Sequence, residues 1–164
     1  MIRPLEERDI ETCRGWYNWY IEHTDISFEE TPETPESYRE LAERVTAHYP
    51  WIVLEENGVL KGFAYLSPFN PRSAYRFTAD VTVYLDPKER GKGYGTALMK
   101  ELEELARKQG IRKLVSLVTD GNEASERLHA SCGYEKKTVL EETGYKFGKW
   151  IGVAYYMKDL GGAD

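Results

Sequence analysis

Between a β-branched segment and an amphipathic one the chain reads Glu89-Arg90-Gly91-Lys92-Gly93-Tyr94-Gly95-Thr96, and this junction restricts the fold more than any other stretch. On its N-terminal side, Phe77 to Leu85 is rich in Val, Thr and aromatic residues and runs into Asp86-Pro87, which predicts a strand ended by a turn. On its C-terminal side, Tyr94, Ala97, Leu98, Leu102, Leu105 and Ala106 recur at intervals of three and four, which predicts a helix. It stops at Lys108-Gln109-Gly110, a basic last turn followed by a glycine. Leu114 to Val118 is then an apolar run between Arg112-Lys113 and Asp120-Gly121, as expected of a strand buried on both faces. A right-handed crossover through the helix makes these two strands parallel neighbours in a βαβ unit.

The remaining elements can be read around this unit. A short strand at Met1 to Leu5 leads to Asp9 as an N-cap. Ile10, Cys13, Tyr17, Tyr20 and Ile21 then mark one face of a first helix. Ser27 to Pro35 is polar and proline-interrupted, a loop that is exposed or faces a ligand. Tyr38, Leu41, Ala42 and Val45 mark a second helix ended before Pro50. Trp51 to Glu55 and Val59 to Leu66 flank Asn57-Gly58, a pair suited to a type I′ hairpin turn. Asn122 to Cys132 reads as a fourth helix, and two more strands fall around Tyr134 to Glu141 and Phe147 to Met157. The expectation is an α/β (α+β) chain with a mixed central sheet. Its 164 residues show no repeat and no linker, so they form a single domain ending in a short Gly-Gly-Ala-Asp tail.

Charge and composition exclude several functions. Twenty-two Lys and Arg stand against 28 Asp and Glu, whereas nucleic-acid binding rests on a basic excess. No run approaches the ~18 apolar residues of a membrane span. Cys13 and Cys132 are far apart and outside any C-x-x-C arrangement, so neither a disulfide framework nor a metal site is expected. The N-terminus MIRPLEERDIE lacks the apolar stretch of a secretory signal, and a cytoplasmic location is the expectation.

The glycine junction can bind an anion. The first N–H groups of a helix have no intrahelical partner, glycines let the backbone approach a ligand, and the helix dipole adds partial positive charge. Arg90, Lys92 and Lys88 add formal charge. Thr96 stands where a dinucleotide fingerprint needs its third glycine, and no G-K-[ST] occurs, so neither a Rossmann site nor a P-loop is present. The competing reading is a glycine-rich turn that merely closes the corner between strand and helix.

Arg90-Gly91-x-Gly93-x-Gly95, placed after a strand and before an amphipathic helix, resembles the acetyl-CoA pyrophosphate loop of the GNAT N-acetyltransferase superfamily. More narrowly, the chain resembles the phosphinothricin and methionine sulfoximine acetyltransferases. The resemblance extends through Tyr49-Pro50-Trp51, Gly62 to Tyr65, Arg72 to Tyr75, Thr82 to Tyr84, Asn122 to Tyr134 and Gly144 to Trp150. It implies a sheet of about seven strands flanked by four helices, acetyl-CoA as cosubstrate without a metal, and direct transfer to a small amine. Val83, Tyr84 and Leu85 would hold the pantetheine arm by their backbone. Arg90, Gly91, Lys92, Gly93, Tyr94, Gly95 and Thr96 would wrap the pyrophosphate, and Asn122 would touch the cofactor, although an N-cap explains that residue equally well.

Two residues carry the implied chemistry. Asp80 stands where the family's proposed general base is a Glu, so its carboxylate is one methylene shorter and reaches an amine directly or through one water. His129 takes the place of the Tyr that many members use to protonate the thiolate, and a structural histidine is the alternative. Phe28, Arg72, Ser73 and Tyr75 fall in loops that border the acceptor, Arg72 as a clamp on a carboxylate. The aromatic segment Gly144 to Trp150 suggests an interface, and the related enzymes are homodimers. Other acceptors, such as a polyamine, an aminoglycoside or a protein terminus, stay open at this level, as does a non-catalytic acyl-CoA-binding module.

Overall fold

The computed structural model describes residues 1–89 and 91–161. Arg90 of the expected phosphate loop and residues 162–164 of the tail lie outside that description. The elements run β1 (Ile2–Pro4), α1 (Ile10–His23), α2 (Pro35–Thr46), β2 (Trp51–Glu56), β3 (Val59–Pro68), β4 (Thr78–Leu85), α3 (Tyr94–Gln109), β5 (Lys113–Thr119), α4 (Glu123–Ser131), β6 (Glu135–Lys146) and β7 (Lys149–Asp159). The seven strands form one sheet in the order β1-β2-β3-β4-β5-β7-β6. Every neighbouring pair is antiparallel except β4 and β5, the pair bridged by α3.

Apolar periodicity decides which face each helix covers. Leu98, Met99, Leu102 and Ala106 of α3 pack with Leu54, Leu66 and Leu114 on one side of the sheet. Cys13 of α1 and Tyr38, Ala42 and Val45 of α2 pack with Trp51 and Phe63 on the other. Leu98 and Leu102 are fully buried, and truncating either to Ala costs about 2–5 kcal/mol. Asn57 and Gly58 both have positive φ, 53° and 78°, so the β2–β3 turn has the expected type I′ geometry.

Three local expectations are corrected. Asp9 precedes α1 but does not cap it through its side chain. Its carboxylate accepts from Arg3 Nη1 at 2.7 Å and from the Glu6 N–H at 2.8 Å, tying the first strand to the helix. β6 runs five residues beyond Glu141, to Lys146. A register shift between Leu140 and Gly144, with Glu142 at φ 52°, breaks the two-residue alternation there and hid the continuation. Finally, β5 is not buried on both faces throughout, because Leu117 is 49% exposed amid buried neighbours.

Candidate active site

Leu117 is exposed because β4 and β5 start as neighbours and then part. Their ladder holds only Thr78↔Lys113, Ala79↔Leu114 and Asp80↔Val115, after which β4 stays paired with β3 alone and β5 with β7 alone. The wedge between them is a cleft of about 120 Å³ lined by the far halves of both strands, by Asn122, Ser125 and His129 at α4, and by Ile26.

Backbone polarity gives this wedge a direction. Asp86 N–H donates to the Lys61 carbonyl at 2.9 Å, which sets the phase of β4. By alternation Asp80, Thr82 and Tyr84 turn their N–H and C=O groups to β3, and Val81, Val83 and Leu85 turn theirs towards β5 and the cleft. The Leu85 carbonyl accepts from the Tyr20 hydroxyl at 2.8 Å. Beyond Asp80, the β5-facing edge of β4 has no strand beside it, and such groups call for hydrogen-bond partners. An extended arm carrying amides supplies them, so the cofactor expected from the sequence fits. Tyr84 also lines the cleft, although by the same alternation its backbone is turned to Phe63 of β3 and its ring packs against Tyr17 and Tyr20.

At the wide end of the wedge lies the glycine bend. Gly91 and Gly93 have φ of 73° and 79°, a left-handed conformation that a side chain disfavours. Gly95 serves packing instead: a Cβ there would stand 3.1 Å from Leu128 Cδ2, so the glycine lets α3 lie against α4. The N–H groups of Tyr94, Gly95 and Thr96 belong to the first turn of α3, where no intrahelical acceptor exists. Tyr94 contributes that N–H alone, because its ring is buried and its hydroxyl donates to Glu56 Oε2 at 2.8 Å. Lys92 is also committed. Its ammonium meets Glu89 Oε2 at 2.6 Å, and Lys61 holds the other oxygen at 2.8 Å. These two cations hold the Glu89 carboxyl down at about 2. The bend therefore offers backbone donors and helix dipole, with Lys92 sharing its charge with a carboxylate.

Asp80 belongs to the last residue pair before the strands part, next to Val81 at the start of the cleft but not itself among the residues that line it. Its Oδ1 is buried without a hydrogen-bond partner among the described residues. Burial pushes its carboxyl up from 3.8 to about 7. A carboxyl poised there exchanges protons near neutrality.

His129 is 5% exposed, and both its ring nitrogens are engaged inside the protein. Nδ1 lies 2.7 Å from the Ser125 carbonyl, which can only accept, so Nδ1 carries the proton. In the neutral ring Nε2 then accepts from Ser116 Oγ at 2.7 Å. Burial pushes the imidazole pKa below its usual value and favours this neutral form. The expectation that His129 protonates the thiolate directly therefore meets a ring with no proton aimed at the cleft. Ser116 was missed in the sequence. The signal was a polar residue inside the apolar run Leu114 to Val118.

Asn122 does cap α4, its Oδ1 accepting from the Ser125 N–H at 3.3 Å, while it also lines the cleft. The acceptor residues are not gathered. Arg72, Ser73 and Tyr75 are exposed on a 3₁₀ turn before β4, and Phe28 is exposed on the α1–α2 loop; none lines the wedge, whereas Ile26 does. Among the described residues no group of three His, Cys, Asp or Glu side chains is arranged for a metal, and no helix is long and apolar enough to cross a membrane.

Known proteins share this architecture. The chain is similar to the phosphinothricin N-acetyltransferase of Streptomyces viridochromogenes, 34% identical over 97% of this chain and 87% of that one. It is also similar to the L-methionine sulfoximine/L-methionine sulfone acetyltransferase of Salmonella typhimurium, 31% identical over 97% and 94%. The fold superposes on a phosphinothricin acetyltransferase from Sinorhizobium meliloti in complex with AcCoA. The TM-score is 0.94 and the identity 31%, over 98% of this chain and 88% of that one. The acetyltransferase (GNAT) family profile matches residues 13–134, a span that takes in Asp80, the bend and α4. This protein therefore belongs to the GNAT acetyltransferase family.

Proposed function

We propose that the protein transfers acetyl from acetyl-CoA to the α-amine of a small amino-acid-like acceptor, of the phosphinothricin, methionine sulfoximine or methionine sulfone type. The observation that carries this reading is the half-buried Asp80 carboxyl in the last residue pair before β4 and β5 part, with no strand among the described residues beside the rest of that β4 edge. Acetyl-CoA supplies an activated thioester. Val83 and Leu85 would hold its amide-bearing arm, and the N–H groups of Gly91 to Thr96 its diphosphate, with Arg90 and Lys92 adding charge. Asn122 would contact the arm from α4.

An α-amine has a pKa of about 7.7–8.0 and reacts only when neutral, so a base gains rate at neutral pH. Asp80, at about 7, takes that proton directly or through one water. A cleft-facing β4 backbone N–H near Tyr84, that of Val83, would stabilise the oxyanion. The departing thiolate, with a thiol pKa of about 8.5, needs little help. His129 orients the Ser116 hydroxyl, and only its imidazolium form donates through Nε2 and frees the Ser116 proton for the thiolate. Arg72, Ser73, Tyr75 and Phe28 would border the acceptor from the two loops, Arg72 meeting its carboxylate.

The same reading takes residues 1–164 as one acetyltransferase domain working as a cytoplasmic homodimer. Tyr145, Phe147 and Trp150 are 54%, 59% and 64% exposed at one hairpin, which supports an interface there. Thiol release from acetyl-CoA across a panel of amines tests the function. Turnover with L-methionine sulfone and none with spermidine or an aminoglycoside is expected; the reverse preference overturns the acceptor class.

A further inference from the structure

The α1–α2 connection, residues 24–34, carries Asp25, Glu29, Glu30 and Glu33 and little apolar content, and local bonds from Thr24 and Ser27 and the Asn18–Glu33 pair hold only its turns and its end. Its middle is tied to the far half of the sheet. Thr119 Oγ1, at the end of β5, donates to the Asp25 carbonyl at 2.7 Å. Lys149 Nζ, at the start of β7, lies 3.3 Å from Asp25 Oδ2. Phe28 rests on the backbone of β6 at Gly144, where a Cβ would come within 2.5 Å of Phe28 Cε2.

The most unusual tie is Lys146, the last residue of β6. It is 4% exposed, while its neighbours Tyr145 and Phe147 stand 54% and 59% exposed. The hairpin thus turns a charge inward and two aromatic rings outward, the reverse of what hydrophobicity favours. A buried ammonium persists only with partners. Lys146 Nζ donates to the Ser27 carbonyl at 2.7 Å, 119 residues away in the chain. It also lies 5.1 Å from the Phe147 ring centroid, in the field of Asp25, Glu29 and Glu30. Ser27 is itself buried, and the residue before it, Ile26, lines the wedge beside β4 and β5.

We propose that Lys146 is a positioning residue for the acceptor: by gripping the Ser27 carbonyl it fixes the loop that carries Phe28, which the reading above places at the acceptor, so that the β6–β7 hairpin shapes the amine side of the site. The inference rests on the acetyl-transfer reading above. Lys146 touches no reacting atom; it acts through the loop.

Two variants and two readouts test it, with L-methionine sulfone and acetyl-CoA as probes. Lys146→Met should raise the KM for the amine tenfold or more and leave the KM for acetyl-CoA within twofold. Hydrogen exchange at the amides of residues 25–30 should quicken at the same time. Lys146→Arg, which keeps a donor, should restore much of both. Should Lys146→Met fail to fold, Gly144→Ala perturbs the same loop by displacing Phe28, and the same KM split is expected. Unchanged exchange at residues 25–30 in the variants, or equal rises in both KM values, overturns the assignment. Wild-type enzyme that releases no thiol with any amine refutes the acetyl-transfer reading, whereas the exchange comparison still decides whether Lys146 holds the loop.

Discussion

Replacing Asp80 by Asn should leave the protein more stable at pH 8 and nearly inactive. The wild-type carboxyl is raised from 3.8 to about 7 by burial. A carboxyl raised on folding contributes stability that is fully present below its unfolded value and is lost as pH climbs through its folded value. Carried over whole, this displacement amounts to about 4 kcal/mol; partial access of the carboxyl to solvent reduces it to about 2 kcal/mol. Asn is neutral at every pH and escapes the loss, while all other titrating groups are shared. The two proteins should therefore melt together near pH 4, and the variant should melt about 4–8 °C higher at pH 8, taking roughly 2–4 °C per kcal/mol for a chain of this size. Activity moves the opposite way. Loss of a general base lowers turnover by about 10²–10⁴, and the limb of kcat/KM near pH 7 should disappear, leaving that of the acceptor amine. Acetyl-CoA affinity by calorimetry should hold within about threefold if, as proposed, β4 backbone rather than the Asp80 side chain holds the arm. Differential scanning calorimetry across pH and a thiol-release assay measure both halves. A variant that keeps the limb near pH 7, or that loses activity together with stability at pH 8, refutes the reasoning.

Other perturbations separate the remaining roles. His129→Gln should lower turnover by less than about tenfold and leave the alkaline side of the pH profile unchanged, since the neutral ring orients Ser116 and donates no proton to the cleft; loss of that limb in the variant restores His129 as the acid. Gly93→Ala should destabilise the fold by about 1–2 kcal/mol from its left-handed φ alone and weaken acetyl-CoA binding, both read by calorimetry. Trp150→Asp should shift the protein from dimer to monomer in light scattering at micromolar concentration, and a wild type already monomeric there rejects the interface.

Much of the fold was legible because its signals are local. The helix repeat from Tyr94 to Ala106, the Asn57-Gly58 turn and the apolar run after Arg112 each depend on neighbours within a few residues. Where the local rule was broken, the reading slipped: Glu142 at positive φ interrupts the alternation of β6 and hid its last turn-ward residues. Asp9 reads as a cap by residue type, yet Arg3 and the Glu6 N–H claim its carboxylate.

The site divides along the same line. The glycines at 91 and 93 and the strand–helix junction around them declare a left-handed bend before a helix in sequence, because backbone conformation there is a property of residue type. The parting of β4 from β5 after Asp80, the Ser116 partner that occupies His129, the Glu89 that claims Lys92 and the Lys146 grip on Ser27 join residues remote in the chain. Residue type alone determined the left-handed glycine bend at the start of α3; only tertiary packing decided which groups reach the cleft and how far the Asp80 carboxyl is buried. Burial and hydrogen-bond partnership are set by what the folded chain brings alongside, and no spacing in the sequence encodes them.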